Sequence, residues 1–335
     1  MKSILTLLTI PAILFTAQTP ACETCALYSP PGRSFLLQQP SDESFKLNLF
    51  TRYATLDNRL DGRHEMDNHG EEIESFIHQL SLGYVVSPKL KAQLSLPYLR
   101  RDFTFRDGDH LHHDDESGFG DLSVIGRYTL HESKRENGSL SVSLIGGLKT
   151  PTGDSDRLRS RHDHAEANTH MEEGHEEAAH EVEASHDASA ISGHDVTLGS
   201  GSWDLIGGIK TEFSQNDWIL DGMVQYYWRT EGDHDYTFAD DLYLSAHAGR
   251  IVYRQQNTAI GLRVGILGEL RDADTQGGIA LQHTQLDAWY ADLTATLAHG
   301  AFLGEAGVDL PLEQDSGATT LVPDARLRLS VGFFF

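Results

Sequence analysis

Apolar and polar residues alternate along most of the chain from residue 44 onward. Such alternation sends successive side chains to opposite faces of a β-strand. The last segment shows it best, because one face carries Leu321, Pro323, Ala325, Leu327, Leu329, Val331, Phe333 and Phe335. The other face carries Asp324, Arg326, Arg328, Ser330 and Gly332. Alternating segments of about ten residues are typical of a membrane β-barrel, whose apolar face meets lipid.

The pattern predicts twelve strands near residues 44–54, 74–86, 90–103, 119–131, 138–149, 202–214, 217–230, 240–254, 257–271, 282–298, 301–312 and 321–335. Long connections, at 55–73, 104–118, 150–201, 231–239, 272–281 and 313–320, alternate with short ones. An outer-membrane barrel has this rhythm, and an even strand count places both termini in the periplasm. A soluble β-sandwich would explain single strands but not the rhythm. The predicted fold class is all-β, a transmembrane antiparallel β-barrel of about 12 strands in the bacterial outer membrane.

The first 21 residues have the features of a secretory signal peptide. Lys2 supplies a positive charge, an apolar run follows, and Thr19 and Ala21 are small residues just before a cleavage site. We therefore expect residues 1–21 to be removed during export. Residues 22–43 would then form a periplasmic N-terminal segment and residues 44–335 the barrel.

Two cysteines, Cys22 and Cys25, follow the predicted cleavage site. Ala26 stands where the attachment of a c-type haem needs a histidine. A disulfide in an oxidising compartment is the plainest interpretation. A two-thiolate metal site, which needs further ligands, and a lipidated Cys22 remain open. Thr19 argues against lipidation, because bacterial lipoprotein signals normally have leucine at that place.

Composition excludes two classes of protein. Lys and Arg number 26 against 50 Asp and Glu, which gives a formal net charge of -24. Proteins that bind nucleic acid neutralise its phosphates with basic patches, so we expect no nucleic-acid partner. After residue 21, no apolar stretch approaches the ~20 residues of a membrane-spanning helix. Helical membrane proteins are therefore excluded as well.

Charged residues on the inner face of the predicted strands would line the lumen. The candidates are Arg127, Lys149, Asp221, Arg229, Arg263, Glu269, Asp292, Arg326 and Arg328. They could form ion pairs that fill the barrel and hold its shape, or a polar conduit whose charges set selectivity. A lumen of twelve strands is intermediate between filled eight-stranded barrels and open channels of sixteen strands. The sequence leaves both interpretations open.

Two motifs flank the longest connection. One strand ends with Lys149-Thr150-Pro151-Thr152-Gly153-Asp154, and the next begins with Leu198-Gly199-Ser200-Gly201-Ser202-Trp203-Asp204. With the strand rhythm, they resemble the family of outer-membrane transporters named after the meta-pathway of phenol degradation. The resemblance covers most of the mature chain and implies a single barrel that acts as a transporter. A long His- and Glu-rich insert between the motifs departs from the family's pattern.

Histidines are concentrated in the predicted long connections. Segment 162–195 alone holds seven of the 18, together with ten acidic residues and no Lys or Arg. Imidazole and carboxylate groups ligate zinc, copper and nickel, and closely spaced copies favour weak multi-site binding. The predicted ligands of Zn²⁺, Cu²⁺ or Ni²⁺ are His64, His69, His110, His112, His113, His162, His164, His170, His175, His180, His186 and His194. The alternative is a solvated, disordered acidic loop.

These patterns predict a porin-like channel or transporter for small solutes in the outer membrane of a Gram-negative bacterium. Its extracellular loops would bind divalent metal weakly. A non-conducting surface barrel that displays metal-binding loops is the alternative. We expect no enzymatic activity, because the chain has no Gly-x-Ser-x-Gly nucleophile elbow and His175 and His180 are one residue too far apart for a zinc-protease motif. Expected partners are outer-membrane lipid, small solutes or divalent metal, and the barrel-assembly machinery through Phe335.

Overall fold

The computed structural model describes residues 45–159 and 189–335. Within these ranges the chain forms a one-turn helix, Gly193–Val196, and the following strands: β1 (Phe45–Asp61), β2 (His64–Met66), β3 (Glu72–Ser87), β4 (Leu90–Asp107), β5 (His110–Phe119), β6 (Ser123–Arg135), β7 (Gly138–Lys149), β8 (Asp204–Gln215), β9 (Trp218–Trp228), β10 (Tyr236–Thr237), β11 (Asp241–Gln255), β12 (Thr258–Arg271), β13 (Asp274–Gln276), β14 (Ile279–Leu281), β15 (Leu286–His299), β16 (Phe302–Ser316) and β17 (Thr320–Phe334). In the part of the chain that the structure describes, no helix is long and apolar enough to cross a bilayer.

Twelve of these strands form one closed antiparallel barrel, which confirms the predicted fold class. The strands follow one another around the barrel in the order β1, β3, β4, β6, β7, β8, β9, β11, β12, β15, β16, β17. Pairing of β17 with β1 closes it, and Phe45 and Phe335 exchange backbone hydrogen bonds of 2.9 and 3.0 Å at the seam. The signal peptide, Cys22 and Cys25 lie outside the described residues.

Apolar side chains cover the outer face of the barrel. On β17, Leu327, Leu329 and Val331 are exposed, whereas Arg326 and Arg328 are buried. Trp218 and Trp228, at the two ends of β9, are each about half exposed, with fractions of 54% and 49%. Aromatic residues at both ends of an apolar belt are typical of a barrel that crosses a membrane. The predicted strand phase is confirmed here.

The two ends of the barrel differ in their connections. Tight turns join the strands at one end, where β1 begins and β17 ends, and we call it the short-turn end. At the other, the long-loop end, several strands continue beyond their predicted limits. Residues 104–118 were predicted to be a loop, but most of them belong to the hairpin of β4 and β5. The polar residues around His110 and His112 resemble a loop in the sequence.

A second correction concerns the start of β17. Register shifts between Ala54 and Asn58 on the paired strand β1 interrupt the alternation there. As a result Leu321 and Pro323, predicted to face lipid, are buried instead. A β-bulge has this effect because the extra residue changes the face to which the following side chains point.

Part of the longest connection folds into the barrel. We call residues 189–202 the inward segment. Its apolar side chains Ile191 and Val196 pack against Ile73 and Phe103, which point inward from β3 and β4. The driving force is the burial of apolar area that the inner face of these strands would otherwise expose to water. This part of the predicted loop 150–201 therefore packs against the inner wall of the barrel.

Candidate functional site

All nine predicted lumen residues lie on the inner face of the barrel strands or, for Arg229, directly after one. Eight of their side chains are buried or nearly so, and Arg127 is 33% exposed. They form three groups, one at the long-loop end, one in the middle and one at the short-turn end.

The group at the long-loop end is centred on Asp204, at the start of β8. Its carboxylate lies 2.6 Å from Nζ of Lys149 and 2.7 Å from Nη1 of Arg229. Arg229 reaches Asp241 on β11 with its other terminal nitrogen. These contacts link β7, β8, β9 and β11 across the inner wall, and each of the two cations lies against two carboxylates, with Asp121 as the second partner of Lys149.

The middle group is centred on two arginines of β17. Arg326 binds both carboxylate oxygens of Glu269 at 2.9 and 2.8 Å. Arg328 lies 2.8 Å from Asp309 and also contacts Asp292. Two cations thus meet three carboxylates, and the contacts to Glu269 and Asp292 connect β17 to strands that are not its neighbours in the sheet.

His247 and Arg263 extend the middle group toward β9. Nδ1 of His247 is 3.1 Å from Asp221, and its Nε2 is 3.7 Å from Asp292. Arg263 is 3.8 Å from Asp221. Removing one partner of a buried ion pair costs about 3–5 kcal/mol, because the other charge stays buried without compensation. This network therefore holds the shape of the barrel.

The group at the short-turn end is arranged differently. Glu212 of β8 lies 2.9 Å from Nζ of Lys210 and 3.6 Å from Nη1 of Arg127. Lys91 of β4 is the direct cross-strand partner of Arg127, so two cations face each other. Like charges in this position destabilise a sheet.

Asp121, between β5 and β6, joins the two sequence motifs. Its carboxylate accepts hydrogen bonds from the backbone N–H groups of Gly153 and Ser200, each at 2.9 Å, and from Nζ of Lys149 at 3.0 Å. A Cβ on Gly199 would lie 2.5 Å from the backbone of Gly153, so only glycine allows this contact. The motifs thus fix the base of the long connection.

Two further contacts hold the inward segment against β3 and β4. Glu71 accepts hydrogen bonds from the backbone N–H of Ala190 at 3.1 Å and from Oγ of Ser189 at 2.5 Å. Nη1 of Arg101 donates to the carbonyl oxygen of Thr197 at 2.6 Å. Glu71 and Arg101 could not be predicted as contacts of this segment. In the sequence, a charged residue near the end of a strand that binds a loop cannot be distinguished from one that faces water.

His194 is the clearest correction among the predicted metal ligands. It was placed in an exposed loop, but it is buried in the inward segment, with Nε2 3.0 Å from Oδ1 of Asp195. Burial alone would lower the pKa of His194, yet the charge and hydrogen bond of Asp195 outweigh it and raise that pKa above 6.5. The charged His194 in turn holds the pKa of Asp195 below its ordinary 3.8 despite burial.

His283, in the loop between β14 and β15, completes this cluster. Its ring lies 5.7 Å from that of His194, centroid to centroid, in an edge-on arrangement. Burial, followed by the charge of His194, lowers the pKa of His283 below 6.5. One imidazole of the cluster thus favours the charged form and the other the neutral form.

The remaining described ligand candidates are exposed at the long-loop end and are not gathered into one site. They are His64, His69, His110, His112 and His113. Within residues 45–159 and 189–335, no group of three or more His, Cys, Asp or Glu side chains could hold a metal ion. His162, His164, His170, His175, His180 and His186 lie outside the described residues.

Comparisons with known proteins support the architecture. No family model and no curated protein matches the chain. Among solved structures, an outer membrane channel from Pseudomonas putida F1 is similar, with 16% identity, a TM-score of 0.62, and coverage of 88% of this chain and 99% of that chain. The chain has the fold of an outer-membrane β-barrel.

Two autotransporter domains show weaker likeness, and we base no argument on them. The beta domain of the Bordetella autotransporter Brka has 10% identity and a TM-score of 0.44, covering 88% of this chain and 100% of that chain. The translocator domain of NalP from Neisseria meningitidis has 11% identity and a TM-score of 0.41, covering 87% and 88%.

Proposed function

We propose that the protein is an outer-membrane channel or transporter for small solutes. The observation that carries the proposal is the division of each strand into an apolar outer face and a charged inner face around a closed barrel. An apolar belt suits lipid, and a lumen lined by charges suits the passage of polar or charged solutes. The similar solved structure from Pseudomonas putida F1, with a TM-score of 0.62, is an outer membrane channel, which supports the same class.

The general orientation of such barrels places the short-turn end in the periplasm and the long-loop end outside the cell. A solute taken up from outside would then meet the inward segment first. It would next pass the ion pairs of the middle group and leave past Lys91 and Arg127. Movement of the inward segment would control entry to this route.

A non-conducting barrel is the second candidate, and one observation favours it. The inward segment contacts both walls of the lumen, since Leu198 packs on Ile77 and Leu99 while His194 and Arg326 line the same small cavity. With the buried ion pairs, it could keep the lumen permanently closed. The barrel would then serve only to display its outer loops.

Recording from planar bilayers separates the two candidates. The folded full-length mature chain should give discrete current steps if it is a channel. Deleting residues 189–196 should raise the open probability, because it removes Ile191 and His194 from the lumen while leaving the Asp121 contacts to Ser200. Silence from both the wild type and the deletion variant, each shown to be folded, would favour the non-conducting barrel.

We further propose that the outer histidines bind divalent metal weakly. The support comes from sequence, in the density of His and acidic residues over 162–195. Calorimetry with zinc would test it by comparing the intact protein with a variant that lacks residues 162–186. An unchanged stoichiometry would show that the tract does not bind the metal.

A further inference from the structure

Four lysine and arginine side chains converge in the lumen at the short-turn end. Lys91 and Arg127 are direct cross-strand partners on β4 and β6. Lys46 of β1 lies within electrostatic range of both, and of Lys210 on β8. These residues alternate in phase with buried residues of the inner face, so all four belong to the lumen side.

Among residues 45–159 and 189–335, two carboxylates on the inner face accompany these four cations closely. Glu212 lies beside Lys210 and Arg127, as described above, and Glu305 of β16 acts on Lys46. We call these six residues the basic vestibule: Lys46, Lys91, Arg127, Lys210, Glu212 and Glu305. Its cations exceed its carboxylates by two.

The nearest other carboxylates have partners of their own. Glu132, which also acts on Lys91, is exposed near the turn after β6 and lies 3.0 Å from Nζ of Lys134. Asp221 pairs with His247 and Arg263 in the middle group. The excess of positive charge therefore belongs to the six residues of the vestibule.

Part of the vestibule is accessible, in contrast to the middle group. The side chains of Arg127 and Glu212 are 33% and 35% exposed although they point inward, whereas those of Arg326 and Arg328 are 1% and 9% exposed. Small residues such as Ser141, opposite Glu212, leave room around the long cationic side chains. A concave site with an excess of one sign of charge concentrates counter-ions.

We propose that the basic vestibule binds a small oxyanion with two negative charges, either a dicarboxylate or phosphate. Such a ligand would neutralise the two excess cations and relieve the opposition of Lys91 and Arg127. Carboxylate and phosphate oxygens are the partners that lysine and arginine recognise with charge-assisted hydrogen bonds. The consequence for transport, that the pore prefers anions to cations, rests on the proposed channel function.

Binding can be tested without any current. Calorimetry on the folded full-length mature barrel in detergent would measure succinate, phosphate and the monoanion acetate. We expect succinate or phosphate to bind, acetate to bind at least about tenfold more weakly, and the double variant Lys46→Gln/Lys91→Gln to lose at least about tenfold in affinity. The ratio of succinate to phosphate affinity tells the two sources apart.

The matched control is Lys89→Gln, because Lys89 is an exposed lysine in the turn two residues before Lys91. Its affinities should equal those of the wild type. Absence of succinate and phosphate binding, or equal losses in Lys89→Gln and the double variant, would overturn the proposal. A heat-modifiability assay on gels would first verify that each variant is folded.

Selectivity is the second measurement. In a salt gradient of potassium chloride, the wild-type reversal potential should indicate a preference for chloride. The chloride-to-potassium permeability ratio should fall at least about threefold in the double variant and stay constant in Lys89→Gln. A pore that conducts without this preference contradicts the inference alone. A silent pore that still binds succinate or phosphate contradicts the channel function and leaves the binding site standing.

Discussion

In the middle of the lumen, Arg326 and Arg328 lie against Glu269, Asp292 and Asp309, whereas at the short-turn end Lys91 and Arg127 lie against each other. The same residue types thus have two different roles in one barrel. Where each cation is buried against carboxylates, the contacts join distant strands and fix the shape. Where cations outnumber carboxylates and are partly exposed, they cost stability and provide a site for an anion.

Breaking the middle group should have the largest effect. Asp292→Ala removes the carboxylate that Arg328 contacts and that Thr294 Oγ1 approaches at 2.8 Å, and leaves a buried guanidinium with one partner fewer. We expect a loss of about 3–5 kcal/mol in the free energy of unfolding, measured from urea titrations followed by tryptophan fluorescence. Asp109→Ala is the control, because that side chain is 98% exposed. Equal losses in both variants would refute a special role for buried pairs.

The position of a new charge should matter almost as much. Leu144 is 40% exposed on the outer face, and an arginine there would meet lipid at a cost of about 2–4 kcal/mol near the midplane. Ser141→Arg, three residues earlier and on the inner face, places the same charge opposite Glu212. We therefore expect a smaller folded fraction on gels for Leu144→Arg only. Similar fractions would show that the strand phase is wrong.

Relieving the unbalanced group should have a smaller effect of the opposite sign. Lys91→Gln removes one of two cations that face each other across β4 and β6. Cross-strand charge pairs contribute roughly 0.2–1 kcal/mol, so unfolding should need slightly more urea. Lys89→Gln should leave the midpoint unchanged. A clear destabilisation by Lys91→Gln would place Lys91 among the residues that hold the barrel together.

The His194 cluster should give the smallest and most local effect. Because the pKa of His194 is raised, its stabilising contribution is complete below pH 6.5 and is lost as the pH rises through the raised value. Because the pKa of His283 is lowered, its neutral form stabilises above pH 6.5, and this contribution is lost as the pH falls through the lowered value. Asp195 adds stability above pH 3.8, lost as the pH falls through its own lowered pKa.

Amide hydrogen exchange of residues 193–198 should therefore quicken on both sides of a window near pH 6.5, after correction for the intrinsic rate. His194→Gln should remove the alkaline change and His283→Gln the acidic change. The charge of Asp274 raises the pKa of His194 and that of Arg101 lowers it, so these two neighbours shift the position of the window. Exchange that is independent of pH in the wild type would contradict the role of the pair.

The barrel could be predicted because period-two alternation is a local signal that the membrane imposes on every strand. That alternation alone predicts that the side chains of Arg326 and Asp292 point into the barrel. It does not predict their partners, since Glu269 and Arg326 are 57 residues apart and meet only when the sheet closes. The opposition of Lys91 and Arg127 likewise depends on the register between β4 and β6.

The inward segment was missed for a different reason. Ile191, Val196 and Leu198 are spaced without the period of a strand or a long helix, and they follow a tract rich in His and Glu. A few apolar residues in such a context carry no signal of their own. They are buried because β3 and β4 offer them an apolar inner wall, which is a property of the assembled barrel.

The contact between Gly153 and Gly199 has a consequence for how this protein can change. The stretches of chain before and after the insert touch there. They touch again at Arg157 and Gly193, where a Cβ on Gly193 would collide with the backbone of Arg157. The two ends of any insertion between Arg157 and Gly193 are thus already held close together by these contacts. Lengthening a closed loop costs only about 0.6 kcal/mol for each doubling. The fixed base between Arg157 and Gly193 should therefore accept inserted sequences of different length and chemistry while the barrel stays the same.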